Sequence, residues 1–207
     1  MYLSRLILDP FNRQVQKDIG NVYEMHRSVM SAFKHLPEDQ YKAGRVLYRL
    51  DKGRQGEIII FVQSTYKADW QDKIFDDYFL NKEDYIKEYN PKPVKGNHYL
   101  FKLRANPTKK INYKRLGLFD EGKQTEWLSG KLSTSGATLS ELMIKQEGFL
   151  KGSYMNKAGK KNTISFLSAV FEGSLVVNDP VSFVKALENG FGSAKGFGFG
   201  LMSIARG

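Results

Sequence analysis

The chain has 207 residues, 41% of them hydrophobic and 13% aromatic, and its 32 Lys and Arg against 22 Asp and Glu give a net charge of +10. It holds no cysteine, which excludes disulfides, thiolate metal sites and a cysteine nucleophile. No apolar run approaches the ~20 residues that span a bilayer, and the opening M-Y-L-S-R-L-I-L-D-P lacks a signal-peptide pattern, so a cytoplasmic protein with no membrane partner is expected.

Tyr2 to Leu8 reads as a short apolar strand stopped by Asp9 and Pro10. Asn21 to Lys34 reads as a helix. Asn21 is its N-cap, Glu24 stands where a capping box would close, and Val22, Met25, Val29, Ala32 and Phe33 share one face. Arg45 to Leu50 and Glu57 to Gln63 flank the glycine-bearing turn D-K-G-R-Q-G and predict a hairpin. Trp70 to Tyr89 is ambiguous, and Asn97 to Ala105 predicts a strand closed by Asn106 and Pro107.

The second half repeats this order. A strand is expected around Ile111 to Leu118 and a helix over Glu121 to Leu132. Strands follow near Thr138 to Leu150 and Asn162 to Val177, on either side of the polar M-N-K-A-G-K-K-N. Asp179 as N-cap, Pro180 at the first helical position and Gly190 just beyond the end mark another helix, and Phe197 to Ala205 a last strand. The order predicts an α+β fold of two tandem ferredoxin-like, RRM-like β-α-β-β-α-β domains, 1–107 and 108–207, an arrangement suited to holding RNA.

Gly190 to Gly200 holds five glycines, three phenylalanines and Lys195. Alternating Gly and Phe suggests a loop packed at its base and bare at its surface, where exposed backbone N–H groups and the Lys195 ammonium would receive an anion. No G-x-G-x-x-G spacing occurs here. Gly117, Gly122 and Lys123 imitate a Walker A loop, but Gln124 takes the place of the required Ser or Thr.

Charge is unevenly spread. Tyr89 to Phe119 contains no acid but has Lys92, Lys95, Lys102, Arg104, Lys109, Lys110, Lys114 and Arg115, and Gly148 to Phe171 has only Lys151, Lys157, Lys160 and Lys161. Such stretches can hold phosphates and would make binding salt-sensitive; a solvated basic surface is the alternative.

Of the three histidines, His26 lies three residues after Tyr23 and next to Arg27, at the edge of the helix's apolar stripe. Near a helix start, histidine as acid or base, tyrosine as orienting group and arginine as charge stabiliser suit attack by an RNA 2′-hydroxyl on its adjacent phosphate. The same spacing fits simple packing of helix on sheet. His35 is expected to cap the helix C-terminus and His98 to begin a strand near a surface or sheet edge. Asp76 with Asp77 and Glu83 with Asp84 have no ligand spacing and read as solvated acids, so no metal and no cofactor are expected.

The segments M-Y-L-S-R-L-I-L, V-Y-E-M-H-R-S-V-M-S-A-F, F-K-L-R-A-N-P-T-K and E-N-G-F-G-S-A-K-G-F-G-F-G-L, in order from Met1 to Ala205, together resemble the CasE family, the CRISPR-associated endoribonucleases of the type I-E Cascade complex. The resemblance implies two ferredoxin-like domains and metal-independent cleavage of CRISPR repeat RNA at the 3′ base of its stem-loop. It further implies retention of the product crRNA as a Cascade subunit, with other Cascade subunits as partners; the free protein is expected to be a monomer. It assigns Tyr23 and His26 to catalysis and Arg27 to the RNA backbone. Lys157, Lys160 and Lys161 fall on a basic hairpin that enters the stem groove, and Lys195 with Gly196 and Gly198 on a glycine-rich loop near the cut. A non-catalytic stem-loop-binding subunit is the competing expectation.

Overall fold

The computed structural model describes residues 1–71, 75–80 and 86–207. They fall into two units: Met1–Asn90 with Lys151–Ser165 and Gly196–Gly198, and Pro91–Leu150 with Phe166–Lys195 and Phe199–Gly207. The chain therefore enters the first unit three times.

The first unit contains β1 (Tyr2–Leu8), α1 (Arg13–Ile19), α2 (Val22–Ser31), α3 (Glu38–Ala43), β2 (Val46–Lys52), β3 (Ile58–Ser64) and β4 (Ile86–Glu88). Its sheet runs β2-β3-β1-β4, with β1 antiparallel to both β3 and β4. Alternation decides the β1 face: Ser4, Leu6 and Leu8 are buried while Arg5 is exposed. The predicted stripe is packed, although α2 ends at Ser31: Met25 and Val29, with Ala32 and Phe33 just beyond the helix, join Leu6, Leu8, Ile60 and Val62.

The second unit contains β5 (His98–Ala105), β6 (Thr108–Ile111), β7 (Lys114–Gly117), α4 (Glu121–Ser133), β8 (Ala137–Met155) as far as Leu150, β9 (Lys161–Val177) from Phe166, α5 (Pro180–Asn189) and β10 (Met202–Arg206); the hairpin end of β8 and β9, from Lys151 to Ser165, belongs to the first unit. Its main sheet runs β10-β5-β9-β8, and β6 pairs with β7 separately. The core joins Phe101, Leu103 and Phe171 to Leu128 and Leu132 of α4 and Phe183 and Leu187 of α5. In both sheets the first strand lies between the third and fourth, so each unit has the ferredoxin-like order. The expected fold class is borne out.

Several boundaries differ from the sequence reading. The strand ending in Asn106 and Pro107 does not close the first unit: His98–Ala105 pairs with β9 and β10 and opens the second, while the first unit closes on the three-residue β4. Alternation marks a strand but not which sheet receives it. The expected strand at Ile111 to Leu118 is a hairpin, turning at Asn112 and Tyr113 with φ of 45° and 64°. The last strand begins at Met202, because Gly198 and Gly200 have φ of 89° and 88°, which extended backbone cannot accommodate, and Lys195–Phe197 forms a 3-10 turn. Helices α1 and α3 had no stripe to read, since α1 buries only Val15 and Asp18 and α3 buries nothing. Within the ambiguous Trp70–Tyr89 stretch, Asp76 and Asp77 are exposed, and Glu83 and Asp84 lie outside the described residues. Among the described residues no helix is long and apolar enough to cross a membrane.

Candidate functional site

The site is built on the N-terminus of α2 in the first unit. The Asn21 side-chain oxygen accepts the Tyr23 backbone N–H at 3.0 Å, which caps the helix. The same oxygen accepts the Ser153 N–H at 3.1 Å, and the Asn21 amide donates to the Ser153 carbonyl at 3.0 Å. One side chain thus caps α2 and clips it to the hairpin strand β8. Glu24 does not complete a capping box; it pairs instead with Arg27 at 3.2 Å and Lys17 at 3.4 Å.

The clip fits closely. A Cβ on Gly152 would stand 2.9 Å from Asn21 Oδ1 and Val22 Cγ2 and 3.0 Å from the Tyr23 nitrogen, so only glycine lets the strand lie against the first turn. One residue beyond Ser153, the Tyr154 ring stacks on Tyr23 with centroids 4.6 Å apart and planes at 21°. Sequence reading missed Asn21 as a clip and Tyr154 altogether; its only trace was an aromatic residue inside the acid-free stretch.

His26, on the same side of α2 as Tyr23, is half-buried, with its ring 5.4 Å from that of Phe197. Burial pushes the imidazole pKa below its ordinary value of 6.5, and a backbone hydrogen bond with Gly196 pulls weakly the other way. The net effect is a neutral ring at pH 7, able to accept a proton. A Cβ on Gly196 would lie in ordinary contact with the ring, 3.5 Å from Cε1 and Nδ1. Gly198 has a reason of its own: φ of 89° and a Cβ position 3.1 Å from the Tyr48 ring.

Arg27 is exposed and held by Glu24. At the hairpin tip the Asn156 side-chain oxygen accepts the N–H groups of Ala158 and Lys160, and Gly159 takes φ of 73°. Lys157, Lys160 and Lys161 are exposed there, and among the described residues no carboxylate pairs with them. The loop is packed at its base through Phe191 and Phe199, both buried. Lys195 belongs to the second unit, where its ammonium donates to the carbonyl of Asn189, the last residue of α5, at 2.7 Å.

His35 does not cap α2, because the helix ends at Ser31 and His35 lies exposed in the turn beyond. His98 begins β5 with its side chain exposed, but β5 is an inner strand, between β10 and β9. Among the described residues no three His, Asp or Glu side chains come together as a metal site.

Fold and site define a basic protein of two ferredoxin-like units with a tyrosine–histidine face clipped to a lysine-tipped hairpin. The model of the family described as CRISPR associated protein matches residues 1–206. The chain is 32% identical over 220 residues to the CRISPR-associated endoribonuclease Cse3 of Thermus thermophilus, covering 99% of this chain and 100% of that protein. Over 118 residues it is 33% identical to the Cascade subunit CasE of Escherichia coli, covering 51% of this chain and 56% of CasE. A solved structure of Cse3 bound to a 19-nucleotide RNA superposes with a TM-score of 0.86 at 30% identity, covering 99% of this chain and 100% of that one. The chain belongs to this family of CRISPR-associated proteins.

Proposed function

We propose that this protein processes CRISPR RNA, cutting the repeat at the 3′ base of its stem-loop and remaining bound to the mature crRNA with other Cascade subunits in the cytoplasm. It is an endoribonuclease. The observation that carries the chemistry is a half-buried His26 one turn from Tyr23, its pKa lowered by burial, on a helix clipped to a basic hairpin. His26 takes the proton of the 2′-hydroxyl at the cut. The 2′-oxygen bonds to the adjacent phosphorus as the bond from phosphorus to the 5′-oxygen breaks, and the leaving 5′-oxygen takes a proton from water. The products are a 2′,3′-cyclic phosphate and a 5′-hydroxyl, with no metal in the step.

The Tyr23 hydroxyl, its ring held by Tyr154, orients the phosphate by donating a hydrogen bond. Arg27 and Lys195 contact the RNA backbone, with Gly196 and Gly198 offering main chain without side chains. Lys157, Lys160 and Lys161 hold the stem through phosphates, since the narrow major groove of A-form RNA limits base reading. The test is cleavage of the repeat stem-loop in EDTA, with the product ends identified. Cyclic phosphate and 5′-hydroxyl ends are expected, and a 2′-deoxy nucleotide at the cut blocks the reaction. Loss of cleavage in EDTA, or cleavage of the 2′-deoxy RNA, overturns the mechanism.

A further inference from the structure

The second unit carries another basic hairpin, which the cleavage mechanism does not use. In β6 and β7 the pairs are Thr108 with Gly117, Lys109 with Leu116, Lys110 with Arg115 and Ile111 with Lys114. Partners across an antiparallel ladder share a side, so Lys110 and Arg115 face the same way as directly opposed like charges, a destabilising arrangement. Among the described residues no carboxylate pairs with Lys109, Lys110, Lys114 or Arg115. Two other cations of the acid-free stretch do have carboxylate partners: Lys102 pairs with Glu172 at 2.9 Å and Arg104 with Glu147 at 2.7 Å.

The turn adds a second local cost. Both of its residues need positive φ, where the second is ordinarily glycine, yet Tyr113 occupies it at 64°. The ring gains no packing in return, being 93% exposed with the Lys110 ammonium 5.4 Å from its centroid. The base of the hairpin is anchored: the Thr108 and Ser193 hydroxyls meet at 3.1 Å, and the Leu118 N–H donates to the Pro107 carbonyl at 2.9 Å. An anchored base presents a tip where a like-charge pair and an exposed aromatic residue at positive φ are set against the one contact of the Lys110 ammonium with the Tyr113 ring.

We infer that the β6–β7 hairpin is a second RNA-binding site, specific for single-stranded RNA: a base stacks on the open face of Tyr113 while Lys110 and Arg115 hold the flanking phosphates. A duplex would keep its bases from the ring, whereas an unpaired strand offers both π-face and backbone. The inference rests on this protein being an RNA-handling one, but not on the role of His26.

The test is fluorescence anisotropy of the full chain with a labelled oligouridylate of about 12 nucleotides, a length suited to such sites. Tyr113→Gly is expected to bind about tenfold more weakly, as loss of one stacked base implies, while its melting temperature holds or rises because glycine suits the turn. Lys110→Gln with Arg115→Gln is expected to flatten the slope of log affinity against log salt by about 1.4, or ~0.7 for each lost phosphate contact. Wild-type affinity and slope in both variants overturn the inference. So does wild-type RNA binding combined with failure to join purified Cascade proteins, which would make the hairpin a protein-docking element. If the His26 reading fails, it fails in cleavage and leaves these binding differences intact.

Discussion

The two basic hairpins are alike in composition and differ in attachment. The β8–β9 tip is tied to α2 by two Asn21–Ser153 hydrogen bonds, by the close approach of Gly152 and by the Tyr154–Tyr23 stack. The β6–β7 hairpin is anchored at its base, and among the described residues no hydrogen bond, ion pair or ring contact ties its tip to another element. Charge alone therefore does not distinguish the hairpin proposed to position a catalytic helix from the one inferred only to add affinity. Attachment does, and substitutions at the contacts of the first hairpin should change cleavage where substitutions in the second change only binding.

The largest effect on stability is expected from Gly152→Ala. The new methyl would enter the space of the helix cap and the Tyr23 backbone, and such overpacking costs about 1–3 kcal/mol. Thermal unfolding and single-turnover cleavage should both suffer, while oligouridylate binding at β6–β7 stays at the wild-type level. Asn21→Ala removes the cap and both bonds to Ser153, an expected loss of about 1–2 kcal/mol by denaturant unfolding. Asn21→Asp keeps the acceptor and should recover most of the cap but not the bond to the Ser153 carbonyl.

A smaller effect is expected from Tyr154→Leu. The aromatic stack contributes about 0.5–1.5 kcal/mol beyond area burial, so cleavage at saturating protein should slow roughly two- to tenfold with little change in stem affinity. A loss of affinity without a loss of rate would make Tyr154 an RNA contact and not a support for Tyr23.

The gentlest test is pH. Because the native pKa of His26 is lowered, the unfolded chain binds more protons than the native one between the folded value and 6.5. Stability contributed by this group is therefore whole above 6.5 and is lost as pH falls through that window. Cleavage should follow the same direction, holding from neutral pH upward and declining on acidification with an apparent midpoint below 6.5 in the free protein. His26→Gln should remove its share of the stability slope in calorimetry.

Much of this was legible in the sequence where local chemistry decides the outcome. Strand β1 alternates, α2 has a cap and a stripe, and α5 has Asp179, Pro180 and Gly190 in their expected places. What was hidden depends on contacts distant in the chain. Asn21 reads as a cap, and nothing local shows that it also reaches Ser153, 132 residues later. Glu24 has the spacing of a capping box, but two nearby cations take its carboxylate. The glycine loop was only partly legible: its phenylalanine base is packed, yet Gly198 and Gly200 answer to backbone conformation and to Tyr48 and Phe191, reasons internal to the fold.

In the proposed reaction a neutral His26 moves the proton that starts cleavage. The most direct measurement is the single-turnover rate of His26→Ala on the repeat stem-loop, with protein in excess so that product retention does not enter. A fall of about 10²- to 10⁴-fold with stem affinity unchanged is expected for loss of a general base. Cleavage at the wild-type rate would contradict the account.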